Sequence, residues 1–211
     1  MNIQNFQKEL RLALRKELPG ENAQKKMSVQ PFRVFPDQQV QPERNAGVLL
    51  LLFPENGDQH IVLTERSQDL ENHRGQISFP GGALNLNESN ETAALRETEE
   101  EINVKRSDVK IIGKLTPLFV PVSGFMIFPI VGISNTKPKF SPNLTEVRRV
   151  IFAPILELLE ENNIRTEIQK KRDIEFTIPY FYINGHKIWG ATAMILAEFL
   201  EVICKIKSSL R

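Results

Sequence analysis

Residues 46–53, Ala-Gly-Val-Leu-Leu-Leu-Leu-Phe, form an unbroken apolar run. After Asn56-Gly57, the β-branched segment His60-Ile-Val-Leu-Thr-Glu-Arg66 follows. An Asn-Gly pair between two such runs is a strong hairpin signal, so residues 46–66 are predicted to form two strands joined by a tight turn. Further strand-like runs follow at 109–120, 125–134 and 146–155, separated by Pro- and Asn-rich stretches, and a second Asn-Gly pair at 184–185 marks another hairpin. Residues 154–162 read as a short helical patch, and 191–207 as a closing helix. Strands and helices mix without regular alternation, which predicts an α/β or α+β domain with a mixed sheet.

Ahead of the first strand, Phe6, Leu10 and Leu14 recur at helical spacing, so residues 3–18 predict an amphipathic helix packed on the domain. Residues 21–45 are polar, carry three prolines and read as an extended connection. This divides the chain into an N-terminal helix and connection, 1–45, and a main domain, 46–211. At 211 residues, 41% hydrophobic and 25% charged, it can bury a core without disulfides. Its 27 basic and 26 acidic residues exert no global pull toward nucleic acid or membrane. The lone Cys204, in an apolar segment, is expected to be a buried structural thiol, and His60, His73 and His186 lack zinc-ligand spacing. No run approaches the roughly 18 apolar residues of a membrane span, and the N-terminus lacks a signal-peptide core, so a cytoplasmic location is expected.

The chemistry concentrates in Glu91-Thr-Ala-Ala-Leu-Arg-Glu-Thr-Glu-Glu-Glu-Ile-Asn-Val104. At about 100° per residue, with Glu97 at zero, Glu101 falls near 40° and Glu100 near 300°, so three carboxylates share one face. Leu95 and Ile102 lie nearly opposite, as a stripe for packing on a sheet. Arg96 sits beside the carboxylates and can partly neutralise them. Like charges at i and i+4 oppose helix formation, and a hard cation bound by oxygen ligands, Mg²⁺ in particular, would relieve that. Alone, such a helix more often presents a solvated acidic face. The preceding Gly81-Gly82 changes the weighing, because paired glycines let backbone amides or carbonyls approach an ion or phosphate closely.

From Gly82, five residues lead to Glu88 and seven more to Arg96-Glu97-Thr98-Glu99-Glu100-Glu101-Ile102-Asn103-Val104. This register resembles the signature box of the Nudix hydrolases, with Thr98 at a usually aliphatic position and Asn103 where the family has glycine. Thr98 keeps a methyl group, and Asn103 tolerates the left-handed helix exit. The resemblance implies an α/β/α sandwich and Mg²⁺ or Mn²⁺ held by Glu97 and Glu101. It makes Glu100 a further ligand or catalytic participant, puts the Gly82 carbonyl nearby, has Arg96 orient Glu97, and leaves Glu88 in a supporting place. It further implies hydrolysis of a nucleoside diphosphate linked to another group.

Upstream, Leu63, Thr64, Arg66, Ser67, Gly75, Phe79, Pro80, Gly81 and Gly82 are similar to the extended motif of the coenzyme A pyrophosphatase branch, whereas Glu71 stands in place of a second arginine, for which His73 or Arg74 could compensate. Segments 123–132, 146–155 and 187–196 resemble that branch too. The implied reaction cleaves coenzyme A or a derivative to 3′,5′-ADP and 4′-phosphopantetheine. Arg66, Arg74 and Gly81 are then candidate substrate contacts, and Glu146 is a base or further ligand from outside the helix. Trp189 and Phe125 are assigned to core packing, with the cleft wall as the alternative. The implied partner is a small-molecule nucleotide rather than nucleic acid or membrane, and self-association into a homodimer is compatible with the sequence. Rival readings keep the chemistry on ADP-ribose, another dinucleotide or a nucleoside triphosphate, or keep the fold as a non-catalytic nucleotide-binding regulator.

Overall fold

The computed structural model describes residues 3–31, 41–67, 75–171 and 173–209. At its centre is β1 (Arg44–Glu55), which pairs antiparallel with β2 (Asp58–Arg66) through the expected Asn56-Gly57 turn. Both turn residues have positive φ, 51° and 86°, as a two-residue hairpin requires. On its other side β1 runs parallel to β7 (Phe125–Ile133), which pairs with β5 (Lys110–Lys114) and β6 (Leu118–Val120). The short β3 (Ile77–Ser78) and β8 (Val147–Pro154) flank β2, and β4 (Gly81–Ala83) lies on β1. One parallel pairing among antiparallel ones makes the sheet mixed, as expected.

The leucine run is explained by this position, because β1 is covered on both faces. Leu50 and Leu52, with Ile61 and Leu63, pack toward α1 (Ile3–Ala13) and α5 (Gly190–Ser209). Leu49, Leu51 and Phe53 pack toward α3 (Asn90–Ile102). Leu49 to Phe53 are all 0% exposed, and full burial of each contributes roughly 1.5–3 kcal/mol. Helices on both faces of a sheet give the expected α/β/α layering. Gly47 sets the spacing of one layer, since a Cβ there would lie 2.3 Å from the Asn90 carbonyl oxygen. The first turn of α3 therefore sits directly on β1.

Several expectations change. The N-terminal helix ends at Ala13 rather than 18, while Phe6, Leu10 and Leu14 do join the main core. The supposed extended connection contains α2 (Gly20–Lys25), which buries Ala23 and Gln24; residues 32–40 lie outside the described residues. The patch at 154–162 resolves into α4 (Ile155–Leu158) and a following turn. Then β9 (Ile164–Lys171), absent from the sequence reading, pairs with β10 (Ile174–Ile183), which pairs with β11 (His186–Trp189) in a separate three-stranded sheet. Cys204 is exposed, not buried. Val202, Ile203 and Ile206 take the inner face of α5, and Cys204, 100° on from Ile203, points away. No helix among the described residues is long and apolar enough to cross a membrane.

Gln59 is a local defect in the core. It is 9% exposed, on the same face of β2 as Ile61 and Leu63, and both amide atoms are buried without hydrogen-bond partners among the described residues. Burying an unpaired amide costs more than burying a thioether of similar shape. Gln59→Met is therefore expected to raise stability by about 1 kcal/mol, measured as a higher urea midpoint with unchanged slope.

Candidate active site

The helix α3 starts at Ser89, whose hydroxyl accepts the Thr92 N–H at 3.1 Å, and ends at Asn103, left-handed at φ 58° with its N–H on the Glu99 carbonyl. Asn103 thus makes the exit expected of it. Thr98 is buried and donates its hydroxyl to the Ala94 carbonyl at 2.6 Å, so its polar atom is absorbed within the helix. Ile102, fully buried, docks the opposite side on the sheet.

The carboxylate face divides in two. Glu101, 4% exposed, points into a cavity of about 1230 Å³ together with Glu97 and Glu146. Glu100 does not line that cavity and is 54% exposed at its side chain, held at its edge by Arg96. Helical phase grouped Glu100 with Glu97 and Glu101, whereas packing brings Glu146 to them instead.

Arg96 fixes this arrangement. Its Nε and Nη2 donate to Glu88 at 2.8 and 2.9 Å, Nη1 donates to Glu97 at 2.7 Å and Glu100 at 3.1 Å, and Nη2 also reaches the Ala83 carbonyl at 3.1 Å. The bidentate pair makes Glu88 the main partner of Arg96, a stronger role than its distance from the carboxylate face suggested. Hydrogen bonds from Arg96, then from the Asn85 N–H, hold the Glu88 carboxyl down near 2. This pair's stabilisation is accordingly present above the ordinary carboxylate pKa of 4.5 and lost as pH falls through about 2. Gly82 completes the frame, since a Cβ there would lie 2.5 Å from the Glu97 carboxyl carbon. Only glycine lets Glu97 lie flat on β4.

Glu146 precedes β8 in a loop docked on the end of α3, with Asn143 N–H on the Glu101 carbonyl at 2.8 Å and Ser141 N–H on the Ile102 carbonyl at 3.0 Å. Asn143 Nδ2 also donates to Glu146 at 3.2 Å. The sequence reading missed Asn143, whose signal was its place three residues before Glu146. Arg66, at the end of β2, lines the same cavity, and its Nε is buried with no hydrogen-bond partner among the described residues. Arg74, Glu71 and His73 lie outside the described residues. Gly81 lines the cavity and donates its N–H to Glu101 at 3.4 Å. Beyond the charged end the wall is largely apolar, with Phe79, Phe119, Val120 and Met194 joined by Phe125 and Trp189, and Glu21, Gln24 and Lys25 as polar exceptions. The last two are therefore cleft wall rather than core, Trp189 being 38% exposed.

Burial, with repulsion from Glu97 and Glu146, pushes the Glu101 carboxyl up to about 8, against a smaller opposing pull from the Gly81 N–H and Arg66. Among the described residues, no three His, Cys, Asp or Glu side chains are already gathered into a group that could hold a metal ion. The chemistry of the site nonetheless fits one: an all-oxygen set, a buried carboxyl short of positive charge, and two more carboxylates facing the same space are what a hard dication neutralises. Arg96→Lys loses the planar fork that holds Glu97 and Glu88. It is expected to lower kcat by about 10- to 100-fold with little change in KM, measured by steady-state kinetics on a pyrophosphate substrate.

A family model described as the NUDIX domain matches residues 43–173. Nudix hydrolase 15, mitochondrial, of Arabidopsis thaliana is 36% identical over 182 residues, covering 83% of this chain and 63% of that protein. The chain thus spans just under two thirds of that relative's length. Nudix hydrolase 3 of Caenorhabditis elegans is 33% identical over 174 residues, covering 74% of this chain and 72% of that protein. A solved MutT protein from Methanosarcina mazei Go1 aligns over 81% of this chain and 97% of its own at a TM-score of 0.50 and 16% identity, a likeness of fold. With an Arg96-held carboxylate helix laid against Gly82 inside a matching family model, the chain belongs to the Nudix hydrolase family.

Proposed function

We propose that this chain hydrolyses the pyrophosphate of coenzyme A or one of its derivatives to 3′,5′-ADP and 4′-phosphopantetheine, using Mg²⁺ or Mn²⁺. The observation that carries this reading is the cavity of about 1230 Å³, in which Glu97, Glu101, Glu146 and Arg66 gather at one end and a largely apolar wall around Phe79, Phe119, Phe125, Trp189 and Met194, with polar residues such as Gln24 and Lys25 among it, lines the rest. The cavity is larger than the roughly 300–1,000 Å³ of most small-molecule sites. A compact nucleoside triphosphate, charged along its length, would leave the apolar wall uncovered. A nucleotide joined through pyrophosphate to a long pantetheine arm would cover both parts. The upstream motif through Arg66 and Phe79 to Gly82 supports the same substrate.

In this reading Glu97 and Glu101 hold the cation with the Gly82 carbonyl, and Glu100, held by Arg96 at the cavity edge, is a further donor only by turning inward. What the cation supplies is neutralisation of the pyrophosphate charge and acidification of water. Arg96 keeps Glu97 in place throughout. Arg66, which lines this end, offers its guanidinium to a phosphate oxygen, and Gly81 lines the same end as a backbone contact. Glu146, steadied by Asn143, takes the proton of the attacking water. The apolar wall around Phe125 and Trp189 orients the arm and keeps bulk water away. Intact Arg96, Glu97 and Glu101 speak against a non-catalytic regulator.

The test is product analysis after incubation with Mg²⁺ and, separately, coenzyme A, ADP-ribose or a nucleoside triphosphate. Consumption of coenzyme A to the two named products is expected. Rapid turnover of ADP-ribose with coenzyme A untouched would replace this assignment with the dinucleotide reading.

A further inference from the structure

The three-stranded sheet runs β11-β10-β9, so β9 is its edge. The direction of its free backbone groups follows from a bridge on the far side of β10. Thr177 donates its N–H to the Gln30 carbonyl at 2.8 Å and accepts the Gln30 N–H at 2.9 Å, so both its groups point away from β9. Thr177 lies directly opposite Ile168. In an antiparallel pair, when one member points away, so does the other. The N–H and C=O of Ile168 therefore face outward, and by alternation so do those of Thr166 and the C=O of Ile164. Pro179, opposite Thr166, has no N–H to offer, in keeping with this phase. Among the described residues no backbone group bonds to the outward groups of Thr166 and Ile168 or to the Ile164 carbonyl, while the Ile164 N–H turns back onto the Glu161 carbonyl. Ile164 and Ile168, both on one face of it, are 46% and 69% exposed.

An edge of this kind is a template for another strand, and its sequence selects one. We propose that two copies of this chain pair through β9, antiparallel about a two-fold axis at Thr166. That register sets Thr166 against Thr166 with reciprocal backbone hydrogen bonds, and Ile164 against Ile168 of the second copy, where the Ile168 N–H donates to the Ile164 carbonyl while the Ile164 N–H stays on Glu161. On the opposite face it sets Arg165 against Glu167 of the second copy, twice by symmetry. Moving the axis by one residue would put Glu167 against Glu167 or Arg165 against Arg165, which is unfavourable. Both charged side chains are already held on their face, Arg165 4.1 Å above the Tyr182 ring and Glu167 2.5 Å from Lys187 Nζ. The strand is thus complementary to itself in shape, apolar contact and charge at one register.

Sedimentation velocity on the full chain, from low to high micromolar concentration, tests this. A monomer–dimer equilibrium is expected. Arg165→Glu and Glu167→Arg should each weaken it by roughly tenfold or more, because each sets like charges opposite one another at two symmetric places. Mixed in equal amounts, the two reversed chains should recover the dimer, since both cross-strand contacts become attractive only between unlike chains. That recovery also shows that both variants are folded. Thr166→Pro, which removes an outward N–H and no bond to β10, should weaken pairing by a similar factor. A monomer at every concentration, self-association unmoved by either reversal, or a mixture that stays monomeric would each overturn the proposal.

Discussion

Glu101→Gln is expected to lower turnover by roughly 10²- to 10³-fold or more while making the metal-free protein more stable at pH 8. The two effects have one origin. The Glu101 carboxyl is buried beside Glu97 and Glu146, and its pKa stands at about 8 against 4.5 in the unfolded chain. Below 4.5 both states hold the proton, and ionisation of the group takes nothing from stability. Between 4.5 and about 8 the unfolded chain releases the proton and the folded chain keeps it, so stability falls as pH rises. The slope is at most about 1.4 kcal/mol per pH unit, and it vanishes once the folded carboxyl also ionises.

Gln removes this slope and keeps a carbonyl oxygen for the Gly81 N–H, while its amide N–H groups can donate to the two neighbouring carboxylates. Thermal melts in chelator across that pH range should show a declining parent and a flatter variant. Added Mg²⁺ should raise the parent's melting temperature much more than the variant's, because binding to the folded state alone stabilises it. Equal slopes in both proteins, or unchanged turnover in the variant, would remove Glu101 from the metal role.

How much of this was legible in the sequence follows from the range of the forces involved. The Asn56-Gly57 and Asn184-Gly185 hairpins are local turn chemistry, and both formed where expected. The pairing of Glu97 with Glu101 is helical phase, equally local, and both line the cavity. Glu100 shares that phase yet is exposed, because only contacts with β4 and the loop before β8 decide which part of a helix face is covered. Phase cannot bring in Glu146 at all; it entered through resemblance, and Asn143, which holds it, did not enter. Cys204 misled because an apolar run hides which of its members face inward.

The strand β9 was missed for a related reason. Its residues, Ile-Arg-Thr-Glu-Ile-Gln-Lys-Lys, are mostly polar and exposed, so no buried face advertised it. It exists because β10 offers it a partner. Likewise α2 has only six residues, too few to hold as an isolated helix, and persists by packing. Much of that packing depends on one buried carboxylate.

That carboxylate, Glu198, carries the second large expected effect: Glu198→Ala should cost about 3–5 kcal/mol of stability. Glu198 is 0% exposed on α5. Its Oε1 accepts the Thr116 hydroxyl at 2.7 Å, the Thr116 N–H at 3.2 Å and the Gly20 N–H at 3.3 Å, and its Oε2 accepts Gln24 Nε2 at 2.8 Å. Alanine leaves these donors facing a void, so orphaned polar groups and a cavity act together. Gln24 keeps one bond, to the Thr116 carbonyl at 2.9 Å, but α2 and the Thr116 turn lose their common anchor. Glu198→Gln keeps the volume and one acceptor while setting its NH₂ among donors, and should cost less, about 1–2 kcal/mol.

Because Gln24 and Pro117 belong to the cavity wall, the alanine variant should also raise KM more than it lowers kcat. Urea unfolding and steady-state kinetics measure the two effects separately. An alanine variant as stable as the parent would mean that water reaches these donors and that hydrophobic contacts alone dock α2. A glutamine variant as damaged as alanine would instead assign the loss to charge rather than to volume.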